Sequence, residues 1–282
     1  MTAARALLLT TLAMIAFAAN SLLCRVALRD TAIDAVTFTS VRLVAGALTL
    51  WLIVVMRSAR PGVAGSWRSA AALFAYAVAF SLAYRSLSAA AGALLLFGAV
   101  QATMIGYALW AGERLRGRQW TGLVLAIGGL TGLMLPGLSA PPLAGSILMI
   151  AAGLAWGVYS LRGKGAGDPT SVTAGNFLRA VPFALVLSLA TLADARWDEA
   201  GFWYAVASGA VASGIGYAIW YAALPGLRAT SAATVQLSVP VIAAIGGILF
   251  LGESLTLRLV LASIAILGGI ALVILDRRPQ QT

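Results

Sequence analysis

Ten apolar runs, each long enough to cross a lipid bilayer, make up most of this chain. A helix needs about 20 apolar residues to span the hydrocarbon, and the connections between the runs are too short for a soluble domain. Because 61% of the residues are hydrophobic and only 10% are charged, the chain lacks the polar surface of a water-soluble globule. The sequence therefore predicts an all-α polytopic membrane protein. The ten predicted helices cover residues 5–25, 34–57, 67–86, 89–112, 118–135, 143–162, 171–193, 200–223, 229–251 and 256–275.

Residues 229–275 repeat, in degenerate form, a stretch that lies 140 positions upstream. At this one offset Gly112-Glu113 matches Gly252-Glu253, and Gly128-Gly129 matches Gly268-Gly269. Similarity at a fixed long period indicates an internally duplicated fold. Five helices per half is an odd number, so the second half is predicted to enter the membrane upside down, as an inverted-topology repeat. The predicted halves are residues 1–137 and 138–282.

The basic residues fall unevenly on the two sides of the predicted bilayer. With a cytoplasmic N-terminus, twelve lie in inside segments and five in outside segments. Excess Lys and Arg mark the cytoplasmic side, which predicts that both termini are cytoplasmic in a bacterial inner membrane. The net charge of +10 is explained by this topology, so no nucleic-acid partner is expected. The N-terminal run superficially resembles a cleavable signal, but its apolar character continues past the cut site and the duplication needs it as a helix.

Metal and cofactor chemistry has little support in the composition. The chain has one cysteine and no histidine, so Cys/His metal clusters and internal disulfides are excluded. No cofactor is expected. The expected partners are a small-molecule substrate and the lipid bilayer; the oligomeric state is open, and a monomer is compatible with the sequence.

An apolar helix, a Gly-Glu corner followed by Leu, and a helix with a Gly-Gly pair, all present twice, resemble the EamA-type transporters of the drug/metabolite transporter superfamily. The resemblance implies a ten-helix basket in which the third, fourth, eighth and ninth helices surround a central cavity. Proteins of this kind move amino acids, other metabolites or drugs, and the bacterial aromatic amino-acid exporters are one branch that the chain resembles. In the first half Val100 stands where the second half has Pro240, so the two central helices need not bend alike.

Aromatic stripes on the third and eighth predicted helices are the first candidates for substrate contact. Such stripes more often belong to a core or face lipid, but their presence in both halves favours a ligand site. The offset places Trp220 opposite Phe80, and the sixth helix adds two more rings. The candidates are Tyr76, Phe80, Tyr84, Trp156, Tyr159, Tyr217, Trp220 and Tyr221.

Uncharged polar residues in the middle of the runs are the second group of candidates. Gln101 lies in the fourth helix and Gln236 in the ninth, while Asn20 lies in the first. Interhelical hydrogen bonding worth about 1 kcal/mol is the structural alternative to a wet cavity. Pro240 leaves a helical carbonyl free, which fits a hinge, a ligand acceptor or a purely structural kink.

Each charged residue inside or at the end of a predicted span has a functional and a structural interpretation. Arg42 and Arg179 lie inside predicted spans, where a charge is costly and marks a functional candidate; reaching carbonyls at a neighbouring helix end, or snorkelling, is the alternative. Asn176 lies one turn before Arg179 and favours a local polar cluster there. Glu113 and Glu253 end spans, so capping of the helix that follows is favoured over proton coupling.

The function favoured by these features is a secondary transporter, and not an enzyme, that exports small metabolites by alternating access. Aromatic walls and no central charge favour amino acids, large apolar or aromatic ones above all, with a multidrug or other metabolite exporter as the alternative. An intramembrane enzyme has no histidine or acid pair to use. A non-transporting assembly or lipid-scrambling protein stays open. With no Asp or Glu in mid-span, facilitated diffusion or a coupling without a central acid is expected.

Overall fold

A computed structural model describes residues 2–57, 64–112, 114–137, 139–163, 166–227 and 229–275. Within these ranges all regular structure is helical. The α-helices, in chain order, are α1 (Ala3–Asp30), α2 (Ala35–Arg57), α3 (Trp67–Tyr84), α4 (Ala89–Trp110), α5 (Gly117–Met134), α6 (Leu143–Gly163), α7 (Pro169–Ala190), α8 (Glu199–Val206), α9 (Gly216–Ala223), α10 (Ala229–Gln236), α11 (Ser238–Leu251) and α12 (Leu257–Leu275).

Eight helical stretches of the described chain are long and apolar enough to cross a membrane, with mean hydropathies from 1.3 to 2.5. The protein is therefore a multi-span membrane protein. The helices α3 and α5 are 18 residues long, and each starts with polar side chains such as Arg68 and Arg118 that lower its mean hydropathy. Ten crossings stay a prediction. The eight stretches are 4–30, 35–57, 89–110, 143–163, 169–190, 199–226, 231–251 and 257–275.

The eighth predicted helix is not uniform. A π-helical segment, Ala207–Ile215, separates α8 from α9. Its sequence, ASGAVASGI, includes two glycines, which weaken an α-helix, and Gly209 lies directly against the carbonyl of Arg42 in α2. A side chain at 209 would collide with that carbonyl, so the wider helical turn brings two backbones close together.

The ninth predicted helix is interrupted at Leu237, between α10 and α11. Pro240 has no N–H to donate to the carbonyl four residues earlier, and the Leu237 N–H instead bonds to the Thr234 carbonyl at 3.0 Å. The predicted helix over 229–251 is therefore interrupted at Leu237, and the missing N–H of Pro240 is the physical reason.

The helices of the two halves pack against each other. Helix α4 lies at the centre, with 78% of its most apolar window buried, against 39–44% in the other candidate spans. It packs on α6, and α11 packs on α1. Helix α2 packs on α7, α3 on α6, and α5 on α12.

Connections at one end of the bundle are joined by polar contacts and are called the Glu253 face. Helix α1 continues past its predicted end at residue 25 to Asp30, because its last turns have partners there. Arg25 forms an ion pair with Glu253 at 3.1 Å and also donates to the Tyr84 carbonyl at 2.9 Å. Arg29 donates to the Leu251 carbonyl at 2.9 Å. These contacts tie α1 to the end of α3 and to the corner between α11 and α12.

Asp34 links two further connections on the Glu253 face. Its carboxylate accepts the Arg196 N–H at 2.8 Å, and its own N–H donates to the Arg196 carbonyl at 3.0 Å. Burial would raise the pKa of Asp34, but hydrogen bonds from Thr37 and from the backbone of Arg196 and Val36 together hold that pKa below its ordinary value. The connection before α2 is thereby clamped to the one before α8.

The opposite end of the described bundle is called the Asp168 face, after the residue that caps α7. Arg57 donates to Thr170 at 3.5 Å, and Arg162 donates to Ser69 at 3.2 Å. The Asp168 carboxylate accepts the Ser171 N–H at 2.8 Å. The Ser171 hydroxyl also donates to this carboxylate, at 2.7 Å. Burial would raise the pKa of Asp168, but the two bonds from Ser171 and the charge of nearby Arg57 lower it.

Candidate functional site

Arg42 lies about two turns inside the N-terminal end of α2 and is 1% exposed. It neither snorkels to an interface nor reaches carbonyls at a helix end. Its Nη2 donates to the Tyr76 hydroxyl at 3.1 Å, and its guanidinium carbon lies 5.3 Å from the ring centre of Tyr76 and 4.9 Å from that of Phe80. The expectation of a centre without charge is wrong, because this guanidinium lies among the rings that were expected to form the pocket.

A short chain of hydrogen bonds holds the Tyr76 hydroxyl in place. Asn20 donates to it at 3.3 Å from α1, and Ser208 in the π-helical segment donates to the Asn20 side-chain oxygen at 2.7 Å. These three side chains and that of Arg42 are all buried. We call Asn20, Arg42, Tyr76 and Ser208 the polar centre. It joins α1, α2 and α3 of the first half to the π-helical segment of the second half.

Trp156 of α6 connects the polar centre to the aromatic residues of the second half. Its ring lies 4.8 Å from Tyr76, 5.1 Å from Tyr159 and 5.4 Å from Tyr217, measured between ring centres. The contact with Tyr217 is stacked, with 20° between the ring planes. The four rings form one continuous aromatic layer across the junction of the halves.

A second polar group lies beyond Trp156. The Tyr159 hydroxyl donates to Thr173 at 3.5 Å and accepts from Asn176 at 3.4 Å, while Thr173 and the Tyr221 hydroxyl are 3.0 Å apart. Asn176 also accepts the Ser66 N–H at 2.9 Å on the Asp168 face. This group therefore links the aromatic layer to that face.

Several donors of the polar centre are unused. The Nε and Nη1 atoms of Arg42 are buried and have no hydrogen-bond partner in the described chain. The Tyr76 hydroxyl accepts from Asn20 and from Arg42, which leaves its own hydrogen available. A buried donor without a partner costs about 1–3 kcal/mol, and more when it is charged.

Arg179, the counterpart of Arg42 in the second half, has a different environment. It is only partly buried, and its Nη1 donates to the Ala64 carbonyl at 2.6 Å and to the Gly175 carbonyl at 3.0 Å. One of these carbonyls lies just before the start of α3 and the other lies one turn earlier in α7 itself, so Arg179 fits the structural alternative, in which the side chain bonds to backbone carbonyls. Asn176 and Arg179 both hold the segment 64–66, although no bond joins them directly.

The remaining aromatic candidates lie at the edge of this arrangement. Tyr84 packs edge-on against Phe80 at 4.8 Å, and its hydroxyl donates to the Ala89 carbonyl at 3.4 Å. The ring of Trp220 lies 6.0 Å from that of Phe17 in α1, and within the described chain no ring contact joins Trp220 to Phe80.

The three candidates on the central helices are dispersed. Gln101 is buried in α4, and Gln236 is half-buried at the end of α10. Pro240 lines a cavity of about 140 Å³ between α4, α11 and α12. A second cavity, of about 210 Å³, lies on the Asp168 face beside Arg57. Neither of these two cavities touches the polar centre.

Glu253 has a different partner from the one expected. Its Oε2 accepts the N–H of Ala89, the first residue of α4, at 2.8 Å, rather than an N–H of α12. Thr256 caps the start of α12 instead, since its hydroxyl accepts the Leu259 N–H at 3.2 Å. Glu113 lies outside the described residues, but Gly112 and Gly252 before the two glutamates both have positive φ, at 93° and 62°.

Sequence reasoning did not select three residues of this site. Thr173 stands three positions before Asn176 and so shares its helix face, and Phe17 stands three positions before Asn20; both spacings were available signals. Ser208 lies in a run of small residues that gives no sign of the π-helical turn. Within the described ranges no three acidic or cysteine side chains cluster as metal ligands would.

Comparison with known proteins gives matches over nearly the whole chain. A model of the EamA-like transporter family matches residues 4–135 and again residues 143–275. The uncharacterized protein PA1977 of Pseudomonas aeruginosa is 60% identical over 275 residues, which are 97% of this chain and 96% of that one. A solved crystal structure superposes with a TM-score of 0.69 at 18% identity, covering 97% of this chain and 99% of its own, and shows the fold alone.

More distant relatives have a named activity. The threonine/homoserine exporter RhtA of Salmonella typhimurium is 32% identical over 152 residues. That match covers 52% of this chain and 51% of the exporter, so it spans about half of each protein. The exporter of the same name from Escherichia coli K12 is 31% identical over the same length.

Proposed function

The chain belongs to the EamA-like transporter family, and we propose that it exports small metabolites, amino acids first among them, from a bacterial cytoplasm by alternating access. The observation that carries this proposal is the buried centre at the junction of the halves. There Tyr76 from the first half and Trp156 from the second make a contact of 4.8 Å. A site built by both halves changes its access when the halves rock against each other.

We propose ten membrane crossings arranged as two inverted repeats. The two family matches, 4–135 and 143–275, support equal halves. Helix packing supports a pseudo-two-fold relation: α4 packs on α6 as α11 packs on α1, while α2 with α7 and α5 with α12 each pair a helix with its counterpart. The connections that meet on the Glu253 face alternate along the chain with those that meet on the Asp168 face, as an up-and-down path requires.

The Asp168 face is proposed to be cytoplasmic. The basic residues assigned to the inside include Arg57 and Arg162, whose contacts lie on this face, and the bias of twelve basic residues to five supports the same orientation. Both termini would then be cytoplasmic and the Glu253 face periplasmic. We propose an inner-membrane location, because a bundle of apolar helices with basic residues biased to one side is typical of the bacterial cytoplasmic membrane.

Amino acids are the leading substrate class for two reasons. The relatives with a named activity are threonine/homoserine exporters, and their substrates carry a zwitterionic head on a small body. The aromatic layer around Trp156 is the argument for larger apolar side chains. The preference for large aromatic amino acids remains a proposal, and a multidrug exporter remains the alternative.

Each face has contacts that must break for the site to open. On the Glu253 face these include the ion pair between Arg25 and Glu253; on the Asp168 face they include the Asn176 bond to Ser66. The described acids all lie at helix ends or in connections. We therefore propose facilitated diffusion, or a coupling that uses no central carboxylate.

Counterflow in proteoliposomes tests this proposal. Vesicles are loaded with unlabelled L-threonine or L-phenylalanine, and entry of the same labelled amino acid is followed against protein-free vesicles. A labelled cationic dye tests the multidrug alternative in parallel. Saturable entry of either amino acid supports the proposal. Entry of the dye alone would replace it with the alternative, and no entry of any solute would support a non-transporting protein.

A further inference from the structure

The unused donors of the polar centre deepen the proposed function, on which this inference rests. We propose that Arg42 and Tyr76 bind the carboxylate of the transported solute, and that this contact selects solutes with a single negative head. The site is the part of the polar centre where the Arg42 Nε and Nη1 atoms and the Tyr76 hydroxyl hydrogen have no partner in the described chain.

The chemistry of the unused groups selects an anion. Nε carries one N–H and Nη1 carries two, and neither atom can accept a hydrogen bond. The Tyr76 hydroxyl already accepts two bonds, so its remaining capacity is to donate. The Asn20 side-chain oxygen accepts from Ser208, and the Asn20 amide nitrogen donates to the Tyr76 hydroxyl. A site that offers donors and a positive charge matches a carboxylate, which is acceptor-only when ionised.

The charge balance points to one carboxylate rather than a dianion or a cation. Arg42 is 1% exposed and has no acid within ion-pair distance in the described chain. An isolated buried charge is strongly unfavourable, and the carboxylate of a zwitterionic amino acid pairs with it while the solute brings no net charge into the site. Among the described residues no second basic side chain shares the polar centre, so a phosphate or dicarboxylate would leave excess negative charge buried. A cationic drug would add to the positive charge.

The rings beside Arg42 define where the rest of the solute lies. Tyr76 and Phe80 flank the guanidinium, and Trp156 stacks on Tyr217 immediately beyond Tyr76. A solute held by its carboxylate at Arg42 therefore extends its body toward Trp156. Separation of the Trp156 and Tyr217 rings makes room for that body.

The contrast with Arg179 supports a ligand role for Arg42. Both arginines lie inside helices at related positions of the two halves, yet Arg179 uses its donors on the carbonyls of Ala64 and Gly175. Of the arginines that the structure describes, Arg42 alone has two buried nitrogens without a partner. The duplication thus provides a matched control within the same chain.

The test compares acids with their carboxamides in proteoliposomes. Counterflow of labelled L-threonine and L-phenylalanine is measured with each acid, its α-carboxamide and its α-alcohol as competitors. We expect the carboxamide and the alcohol to compete at least about tenfold more weakly than the acid, the size expected for loss of a charged hydrogen bond. In Arg42→Gln we expect the same fold-loss in apparent affinity for the acid, and a several-fold loss in Tyr76→Phe.

Arg179→Lys is the control variant, with size-exclusion elution and thermal unfolding measured for every variant. In Arg179→Lys the ratio of competition by the acid to competition by the carboxamide is expected to equal the ratio in the parent. Equal competition by acid and carboxamide in the parent, or an unchanged affinity in a folded Arg42→Gln, would overturn the carboxylate proposal while leaving amino-acid transport intact.

A binding measurement distinguishes failure of the proposed transport function from failure of the carboxylate proposal. If no amino acid enters vesicles, the same acids are tested for a rise in the unfolding temperature of the purified protein. A rise in the parent that is absent in Arg42→Gln supports the carboxylate site without transport. If no acid raises the unfolding temperature of the parent, the carboxylate proposal fails as well.

Discussion

Glu253 bonds at once to Arg25, at 3.1 Å, and to the backbone N–H of Ala89, at 2.8 Å. One carboxylate thereby joins the end of α1, the start of α4 and the corner before α12. The side chains of Arg25 and Glu253 are only 14% and 11% exposed, so this pair is better shielded from solvent than an ordinary surface pair. It is the strongest candidate for the contact that keeps the Glu253 face closed.

Glu253→Ala is expected to loosen this face. It removes both charge-assisted bonds of the carboxylate, at a cost of about 2 kcal/mol, and uncovers Cys24, which is fully buried next to Arg25. Because Cys24 is the only cysteine of the chain, the rate of its labelling by a maleimide reports the opening without further engineering. We expect faster labelling and a lower unfolding temperature.

Asp30→Ala is the matched control for that variant. The pair between Arg29 and Asp30 lies on the same face but is more exposed, at 32% and 41%, and such pairs contribute about 0–1 kcal/mol. We expect Cys24 to react in Asp30→Ala as it does in the parent. Equal labelling in the two variants would show that Glu253 does not hold the face closed.

Arg42 and Arg179 are expected to respond in opposite directions to replacement by methionine. Arg42→Met removes a buried charge that has no counter-charge in the described chain, so it should raise the stability of the empty protein by about 1–4 kcal/mol. Arg179→Met removes bonds to two carbonyls and should lower it by about 2 kcal/mol. Thermal unfolding in detergent measures both. A loss of stability in Arg42→Met as large as that in Arg179→Met would mean that Arg42 is a structural residue.

The Gly268-Gly269 pair provides a test of the α5 and α12 contact. A Cβ at Gly269 would overlap the Gly122 carbonyl and come within 2.7 Å of the Ala126 nitrogen, whereas a Cβ at Gly268 meets nothing within 4 Å. Gly269→Ala is therefore expected to lower stability by about 1–3 kcal/mol, and Gly268→Ala to leave it unchanged or raise it by up to about 1 kcal/mol. Unfolding temperatures that move together in the two variants would contradict this packing.

Asp34 gives the Glu253 face a defined pH dependence. Its pKa in the folded protein lies below its ordinary value, so its contribution to stability is present above the ordinary aspartate pKa of about 4 and is lost as the pH falls through the folded value. Asp34→Asn should be less stable than the parent at about pH 6, and the difference should shrink at about pH 3. Thermal unfolding at the two pH values measures this, with the exposed Asp194→Asn as control. A stability difference that is independent of pH would rule out the charged form of Asp34 as its source.

The sequence predicted the parts of the fold that depend on apolar length and on local backbone geometry. Runs of apolar residues set the positions of the helices, and the Gly-Glu corners were recognisable because Gly112 and Gly252 turn the chain with positive φ. It could not predict the π-helical segment around Ser208, because a run of small residues is compatible with either helix type.

The candidate site was predicted in its residues more than in its arrangement. Tyr76, Trp156 and Tyr217 were selected as aromatic candidates, and they are in contact. The difference between Arg42 and Arg179 could not be read from the chain, since it depends on which carbonyls a folded neighbour presents. Glu253 likewise bonds to Ala89, which is distant in sequence, and only the tertiary structure brings the two together.

The measurement that tests the central claim most directly is counterflow of labelled L-threonine and L-phenylalanine through Trp156→Ala beside Trp110→Ala. Trp156 contacts three other rings of the aromatic layer, whereas Trp110 is 83% exposed at the end of α4. If solutes pass through the polar centre and the aromatic layer, Trp156→Ala changes the apparent affinity or the rate by about tenfold or more, as expected for loss of a large contact surface in a site, and Trp110→Ala matches the parent. Parent-like transport of both amino acids by a folded Trp156→Ala would contradict the account.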